Sequence, residues 1–223
     1  YHKHIHTGEG GICVTENDEY AERMQLIRNH AEAVVEGKGV QNLTNMIGFN
    51  FRMGEIEAAL GIEQLKKLPG IINEKIQWAG ILSEGLSKLD GLRTPIIKEH
   101  CSHVYYAYPL LLDDRITKTH RDKIFKALVA EGVPALGDRY VNLHLYPMYQ
   151  NKIAYGSNGF PWTSNLYKGN VSYEKGICPV AESMNSRRYI NIGLGLIRLD
   201  AQKCQKIISC FEKVWGQLDS LNK

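Results

Sequence analysis

The N-terminal residues combine a lysine with a glycine-rich turn. Lys3 is followed four residues later by Thr7, and residues 8–11 read Gly-Glu-Gly-Gly. A lysine amine held in a tight pocket can attack a carbonyl carbon and form a Schiff base. Glycines let the backbone approach a ligand closely. The pattern makes Lys3 a candidate amine nucleophile, although a solvated surface lysine would look the same in sequence.

Three histidines alternate around this lysine, at His2, His4 and His6. On a strand such a spacing places three imidazoles on one face, where they could bind zinc or nickel. No carboxylate or cysteine partner accompanies them, so the sequence favours no metal site. The glycines of residues 8–11 match neither a phosphate loop nor a dinucleotide-binding fingerprint.

The residues after the turn are predicted to form the elements that position Lys3. Asn17 or Asp18 can cap a helix, and Pro69 with Gly70 interrupts a longer helical pattern. The predicted elements are a strand at residues 12–15, a helix at 19–28, a loop at 29–47, and helices at 54–68 and 71–89.

From about residue 100, predicted strands and helices alternate, which is typical of an α/β fold. Thr119 can cap a helix that Gly132 ends. The segment 141–180 is predicted to be a long irregular region, of a kind that is often functional. The predicted strands are at 103–112, 134–140 and 189–199, and the helices at 120–131, 181–188 and 200–221.

The composition is that of an ordinary globular protein, with 43% hydrophobic and 23% charged residues. A formal net charge of +3 gives no reason to expect nucleic acid or a membrane as partner. The five cysteines are an odd number without a Cys-x-x-Cys pair, which indicates reduced thiols and a cytoplasmic location. No apolar run approaches the roughly 18 residues of a membrane helix.

Two segments resemble the signatures of one protein family. Residues 3–15, Lys-x-x-x-Thr-Gly-Glu-Gly-Gly followed by Ile-Cys-Val-Thr, resemble the cofactor-lysine segment of the DegT/DnrJ/StrS-type sugar aminotransferases. These are fold-type-I pyridoxal-phosphate enzymes. Residues 48–65, which begin Gly-Phe-Asn-Phe-Arg-Met-Gly-Glu, resemble the family's second signature. Similar segments at residues 20–30, 133–134, 144–148 and 178–182 extend the resemblance over nearly the whole chain.

The resemblance implies an aminotransferase that moves an amino group from an amino acid, glutamate, to a nucleotide-linked keto-sugar. Lys3 would hold pyridoxal 5'-phosphate as a Schiff base and then move a proton between substrate and cofactor. Asn50 would reach the cofactor phosphate of the neighbouring subunit in a homodimer, and Arg52 would bind phosphate, carboxylate or nucleotide. His144 and Tyr146 would border the sugar-nucleotide site.

Structural interpretations of the same residues remain open. Without the resemblance, Asn50 and Arg52 are residues of the turn that opens a long helix. In the same way, His144, Tyr146 and Trp162 can be packing side chains.

Two alternative functions also remain open. One branch of the family replaces the lysine by histidine and is a sugar dehydratase. Lys3 lies four residues before Thr7, as in the aminotransferases, and a one-residue slip would put His2 or His4 in its place. The other alternative is a catalytically incomplete fragment or interaction subunit that dimerises through residues 48–89.

The implied fold is α/β, the C-terminal part of the large domain of a fold-type-I transferase plus the small C-terminal domain. Residues 1–95 are predicted to complete the cofactor-binding large domain with its long linking helices, and residues 96–223 to form the small α/β domain. The chain opens without methionine on the candidate active-site segment. We therefore expect a preceding portion that supplies the rest of the cofactor pocket.

Overall fold

The computed structural model describes residues 3–32, 46–138 and 140–222 of the 223-residue chain. Residues 1–71 and 72–223 form two compact units, each with contacts mainly within itself. The predicted division between residues 95 and 96 concerns the domains of a complete enzyme fold and stays a prediction. Most of the predicted loop at 29–47 lies outside the described residues.

The first helix of the N-terminal unit is α1 (Asp18–Arg28). Its N-cap is Asn17, whose side-chain Oδ1 accepts a hydrogen bond from the backbone N–H of Tyr20 at 3.0 Å. Acidic residues in the first turn and Arg28 in the last complement the helix dipole. The predicted helix and its cap are confirmed.

The strand predicted at residues 12–15 is wrong, because no strand forms there in the described structure. Ile12 and Val14 are 76% and 88% exposed. A strand is held by hydrogen bonds to a neighbouring strand. Among the described residues, none supplies such a partner to this segment.

A single 32-residue helix, α2 (Glu55–Leu86), replaces the two helices predicted on either side of Pro69. Proline lacks a backbone N–H, so it removes one hydrogen bond of the helix, and long helices can absorb this loss with a local bend. The prediction that Pro69 and Gly70 end a helix is therefore wrong.

The C-terminal unit is built on an antiparallel sheet of four strands, β1 (Leu92–Arg93), β2 (Tyr108–Leu112), β3 (Leu136–Gly137) and β4 (Tyr189–Ile192). Their order in the sheet is β1-β2-β4-β3. Leu110 pairs with Ile190 and Leu112 with Leu92. The three predicted strands are present but shorter; Tyr105, for example, has φ 51° and cannot continue β2.

Helices and single turns connect these strands. The predicted cap of the helix that begins at Arg121 is wrong. The His120 ring accepts the hydrogen bond from the backbone N–H of Asp122, while the Thr119 hydroxyl donates to the carbonyl of Leu218. The helices are α3 (Asp114–Thr117), α4 (Arg121–Ala130), α5 (Pro147–Gln150), α6 (Pro179–Ser183) and α7 (Ala201–Trp215). A π-helical turn spans Met184–Arg188, and 3-10 turns span Leu143–Leu145, Leu194–Leu196 and Leu218–Asn222.

One face of the sheet is buried against the C-terminal half of α2 and against α4 and α7. Alternate residues of β2 point to this face, so Tyr108, Leu110 and Leu112 are buried while their neighbours are not. The predicted apolar side of α7 is confirmed. The helical residues of this core include Ala79, Leu82, Leu86, Ile124, Leu128, Cys204, Ile207, Ile208, Phe211 and Val214.

Two glycines of α2 offer a matched pair of stability measurements. A Cβ at Gly85 would lie 2.5 Å from Cδ1 of the buried Ile208, whereas a Cβ at Gly80 would meet nothing within 4 Å. We expect Gly85→Ala to lower the free energy of unfolding by about 1–3 kcal/mol through overpacking. Gly80→Ala should raise it by about 0.5–1 kcal/mol, because alanine loses less backbone entropy in a helix. Urea unfolding of both variants measures this, and equal effects would contradict the close packing of α2 on α7.

No helix within the described ranges has the length and apolar character needed to cross a membrane.

Candidate active site

Lys3 precedes a tight turn in the N-terminal unit. Its side chain is exposed. The turn is held by the Thr7 hydroxyl, which donates to the carbonyl of Glu9 at 3.0 Å, and by the N–H of Gly8, which donates to the His6 ring at 3.3 Å. Gly8 has φ +93°, a conformation that glycine adopts without strain. The glycine turn predicted after Lys3 is therefore present, and the lysine lies at its accessible edge.

His4 lies beside Lys3 and is half-buried. Both of its ring nitrogens are buried, and neither has a hydrogen-bond partner among the described residues. His2 lies outside those residues, so the alternating histidines cannot be followed as a set. In the part of the chain that the structure describes, no group of three or more His, Cys, Asp or Glu side chains is arranged to hold a metal ion.

The segment that carries Asn50 and Arg52 runs antiparallel to the end of α1. The backbone N–H groups of Phe49 and Phe51 donate to the carbonyls of Ile27 and Arg28 at 2.7 and 2.9 Å. Asn50 itself bridges to Asn29. The rings of Phe49 and Phe51 stack with centroids 4.8 Å apart. This pairing fixes the backbone of Asn50 and leaves its side chain exposed.

Arg52 is tied back to the same helix end. One guanidinium nitrogen, Nη1, donates to the side-chain Oδ1 of Asn29. Asn29 is only 8% exposed, so its amide is a rigid anchor for the exposed arginine. The remaining guanidinium nitrogens of Arg52 form a fork whose orientation Asn29 helps to fix.

An open apolar groove lies beside this segment in the same unit. Its lining comes from the stretch after the glycine turn, from one side of α1 and from the residues just before α2. Apolar contributors to this groove are Ile12, Val14, Met24, Ile27, Phe51 and Met53.

His144 and Tyr146 belong to the C-terminal unit. His144 lies in a 3-10 turn, and its Nε2 is 2.9 Å from Oε1 of Glu182. Its side chain is 11% exposed. Tyr146 caps α5 through its backbone and is 41% exposed. Trp162 packs edge-on against Tyr173 and donates to its hydroxyl at 3.1 Å, so its contacts in this unit are those of a packing side chain.

Glu182 is a functional candidate that the residue types alone did not single out. Its carboxylate accepts hydrogen bonds from the backbone N–H groups of Gly176 at 2.8 Å and Cys178 at 3.2 Å, in addition to its contact with His144. It therefore joins both ends of the irregular segment 141–180. The backbone N–H of Gly176, more than the His144 contact, holds the pKa of Glu182 below its ordinary value.

Acidification should loosen this segment. A carboxyl whose folded pKa lies below its ordinary 4.5 stabilises the fold while ionised, and this contribution disappears as the pH falls through the folded pKa. We therefore expect the Gly176 amide to lose protection from hydrogen exchange below about pH 4.5. Glu182→Gln should show weak protection at every pH, whereas Glu174→Gln, an exposed neighbour, should behave like the native chain. If the protection of the Gly176 amide from hydrogen exchange did not change with pH, the prediction would be contradicted.

The residues match one protein family over most of the chain. The model of the DegT/DnrJ/EryC1/StrS aminotransferase family matches residues 1–188, and the chain belongs to this family. It is 32% identical over 177 residues to the uncharacterized protein MJ1066 of Methanocaldococcus jannaschii, covering 76% of this chain and 45% of that protein. It is 27% identical over 173 residues to the UDP-4-amino-4,6-dideoxy-N-acetyl-beta-L-altrosamine transaminase of Campylobacter jejuni, covering 76% and 44% of the two chains.

Solved structures support the fold. The sugar aminotransferase CalS13 of Micromonospora echinospora superposes with a TM-score of 0.68 over 95% of this chain and 49% of its own, at 18% identity. The likeness confirms the predicted α/β fold of a fold-type-I transferase. The chain spans about half the length of the relatives it matches.

Proposed function

We propose that this chain carries the lysine of a pyridoxal-phosphate-dependent aminotransferase that moves an amino group from glutamate to a nucleotide-linked keto-sugar. The observation that supports it best is the accessible Lys3 at the edge of the Thr7–Gly8 turn, within the residues that match the family. Relatives named as transaminases of amino sugars support the substrate class.

The residues present fit one part of the cofactor. Lys3 offers an exposed primary amine for its aldehyde, and Asn50 and Arg52 offer exposed N–H donors for a phosphate. A Cβ at Gly10 would lie 2.6 Å from the Thr7 hydroxyl, so only glycine lets the backbone pass that close to the turn. When bound, pyridoxal phosphate withdraws electrons from the carbon that loses or gains the amino group.

The chain's own residues would then position groups and move a proton. Lys3 would hold the cofactor and, once displaced by the amino donor, act as the base that carries the proton to and from the reacting carbon. Arg52, oriented by Asn29, would bind a carboxylate or phosphate through its remaining N–H groups.

In the C-terminal unit, Nε2 of His144 is engaged by Glu182, which leaves the exposed Tyr146 as the better candidate for a hydrogen bond to the sugar.

We propose that the enzyme acts as a homodimer in which Asn50 serves the neighbouring subunit's cofactor. Exposed apolar side chains on and before α2 support a covering protein surface, since Phe51 and Ile56 are 64% and 76% exposed. All five cysteines, each within the described residues, are free thiols, which supports a reducing compartment such as the cytoplasm.

A half-reaction tests the proposal. The purified chain is saturated with pyridoxal phosphate, freed of excess cofactor and mixed with glutamate, and the 2-oxoglutarate released is measured. We expect one equivalent of 2-oxoglutarate for each bound cofactor. Bound cofactor without 2-oxoglutarate would contradict amino transfer from glutamate and favour dehydratase chemistry, and failure to bind the cofactor would favour the interaction subunit.

A further inference from the structure

The C-terminal unit contains a cleft that is rich in arginine. It lies where β2 ends and β4 begins, and Ser183 closes one side of it. Four guanidinium groups and two carboxylates line it, which leaves two positive charges in excess. The charged residues are Arg93, Arg115, Arg187, Arg188, Asp113 and Asp114.

Asp113 and Arg115 form a bidentate ion pair in this cleft. Oδ1 of Asp113 accepts from Nε of Arg115 at 3.0 Å and Oδ2 accepts from Nη2 at 2.7 Å. Hydrogen bonding from Arg115 lowers the pKa of Asp113 to about 2, so the pair stays ionised at neutral pH. Arg115 is therefore the principal partner of Asp113, and Arg188 adds a weaker electrostatic attraction.

The other aspartate neutralises its neighbour only weakly. Asp114 lies 3.7 Å from Nη1 of Arg187, beyond the length of a good hydrogen bond. Arg187 is 57% exposed at the rim, so solvent screens the pair further.

Two arginines present guanidinium groups that are available to a ligand. Arg188 is half-buried, and its Nε donates to the carbonyl of Leu112 at 3.2 Å, which anchors the side chain. Its two terminal nitrogens donate no hydrogen bond within the described residues, and Asp113 attracts the guanidinium only at longer range. Arg93 lies on the edge strand β1 and pairs through its backbone with Leu111, whereas its exposed guanidinium makes no hydrogen bond or ion pair in the described part of the chain.

We propose that this cleft binds a doubly charged phosphoryl group, either free phosphate or the phosphate of a small monoester. A planar guanidinium presents two parallel N–H donors that match two phosphate oxygens. Arg188 supplies a donor pair anchored by its bond to Leu112, Arg93 supplies an exposed donor pair, and the Ser183 hydroxyl supplies a further donor at the wall. The proposal does not depend on the amino-transfer activity, since every residue in it belongs to the C-terminal unit and Lys3 is not involved.

Calorimetric titration of the purified chain tests the site. Inorganic phosphate, methyl phosphate and acetate are titrated in turn at constant ionic strength, at about pH 8, where a phosphoryl group is doubly charged. We expect saturable binding of phosphate, of methyl phosphate, or of both, and none of acetate. The first two arms distinguish the free anion from the monoester. Equal binding of acetate, or no binding of either phosphate compound, would overturn the proposal.

Charge-changing variants give effects of opposite sign within the one cleft. Arg93→Gln and Arg188→Gln should each weaken binding about tenfold. Asp114→Asn should tighten it about threefold, because it removes a negative charge from the wall. Lys206→Gln makes the same change of charge as the arginine variants on an exposed part of α7 and should have no effect. If Lys206→Gln weakened phosphate binding as much as Arg93→Gln, binding would depend only on the net charge of the chain, and the proposed site would be overturned.

A measurement on the native chain avoids any folding defect of the variants. In two-dimensional NMR spectra, phosphate should shift the Nε–Hε signals of Arg93 and Arg188 and the backbone amides of residues 113–115. Shifts confined to other parts of the chain would overturn the assignment.

Discussion

Replacing Lys3 by alanine should abolish covalent attachment of pyridoxal phosphate to this chain. The amine of Lys3 is the group that bonds the cofactor in the proposed mechanism, and alanine has no substitute for it. Amino transfer should also fall, by roughly a hundredfold to ten-thousandfold, since the variant loses the base that moves the proton. We expect Lys3→Ala to keep the native fold, because the Lys3 side chain is exposed.

The measurement is reduction with borohydride followed by mass mapping of peptides. In the native chain the cofactor mass should appear on the peptide that contains Lys3, and in Lys3→Ala it should be missing. Lys67→Ala is the matched control, because Lys67 is an exposed lysine of the same unit on α2. Lys67→Ala should keep the label on the Lys3 peptide, and labelling that survives in Lys3→Ala would contradict the assignment of Lys3.

The elements that sequence predicted well are those decided by neighbours along the chain. Asn17 caps α1 because its side chain reaches an N–H only three residues away. The helical spacing of Ile207, Phe211 and Val214 identified the buried side of α7 for the same reason. Both signals are complete within one or two turns of helix.

The wrong predictions concern residues whose structure depends on partners far away in sequence, or on the packing of a whole long helix. Pro69 by itself predicts the end of a helix. In the structure α2 continues for 17 residues beyond it, and the C-terminal end of α2 packs in the core. Ile12 and Val14 have the composition of a strand without a paired strand among the described residues. Thr119 has the residue type of an N-cap, yet its hydroxyl donates to the carbonyl of Leu218, 99 residues away.

In the candidate site, too, the sequence predicted the positions of residues but not the contacts between distant segments. The family pattern identified Lys3, Asn50 and Arg52 as positions, because motifs preserve the order of residues. It could not indicate that Asn29 anchors Arg52, since that contact joins the end of α1 to a segment 23 residues later. The need for glycine at position 48 likewise becomes visible only in the structure, where the backbone of His30 and Ala31 lies against it.

Gly48→Ala should separate the Asn50 segment from the end of α1. A Cβ at residue 48 would lie 1.9 Å from the backbone nitrogen of Ala31 and from the carbonyl carbon of His30, and backbone atoms cannot turn aside as a side chain can. Overpacking of this kind costs about 1–3 kcal/mol. Because about 1.4 kcal/mol is a factor of ten, the hydrogen exchange of the Phe49 and Phe51 amides should accelerate about tenfold to a hundredfold.

Gly70→Ala is the control for this experiment, since it adds the same methyl group in the same unit with nothing within 4 Å. It should leave the exchange of Phe49 and Phe51 unchanged. If Asn50 serves the cofactor phosphate, Gly48→Ala should also weaken binding of pyridoxal phosphate while leaving Lys3 able to react with it. Unchanged exchange at both amides in Gly48→Ala would mean that the pairing at the end of α1 does not hold Asn50 in place. Faster exchange with unchanged cofactor affinity would instead separate Asn50 from the phosphate, and its role would then be confined to the turn that opens α2.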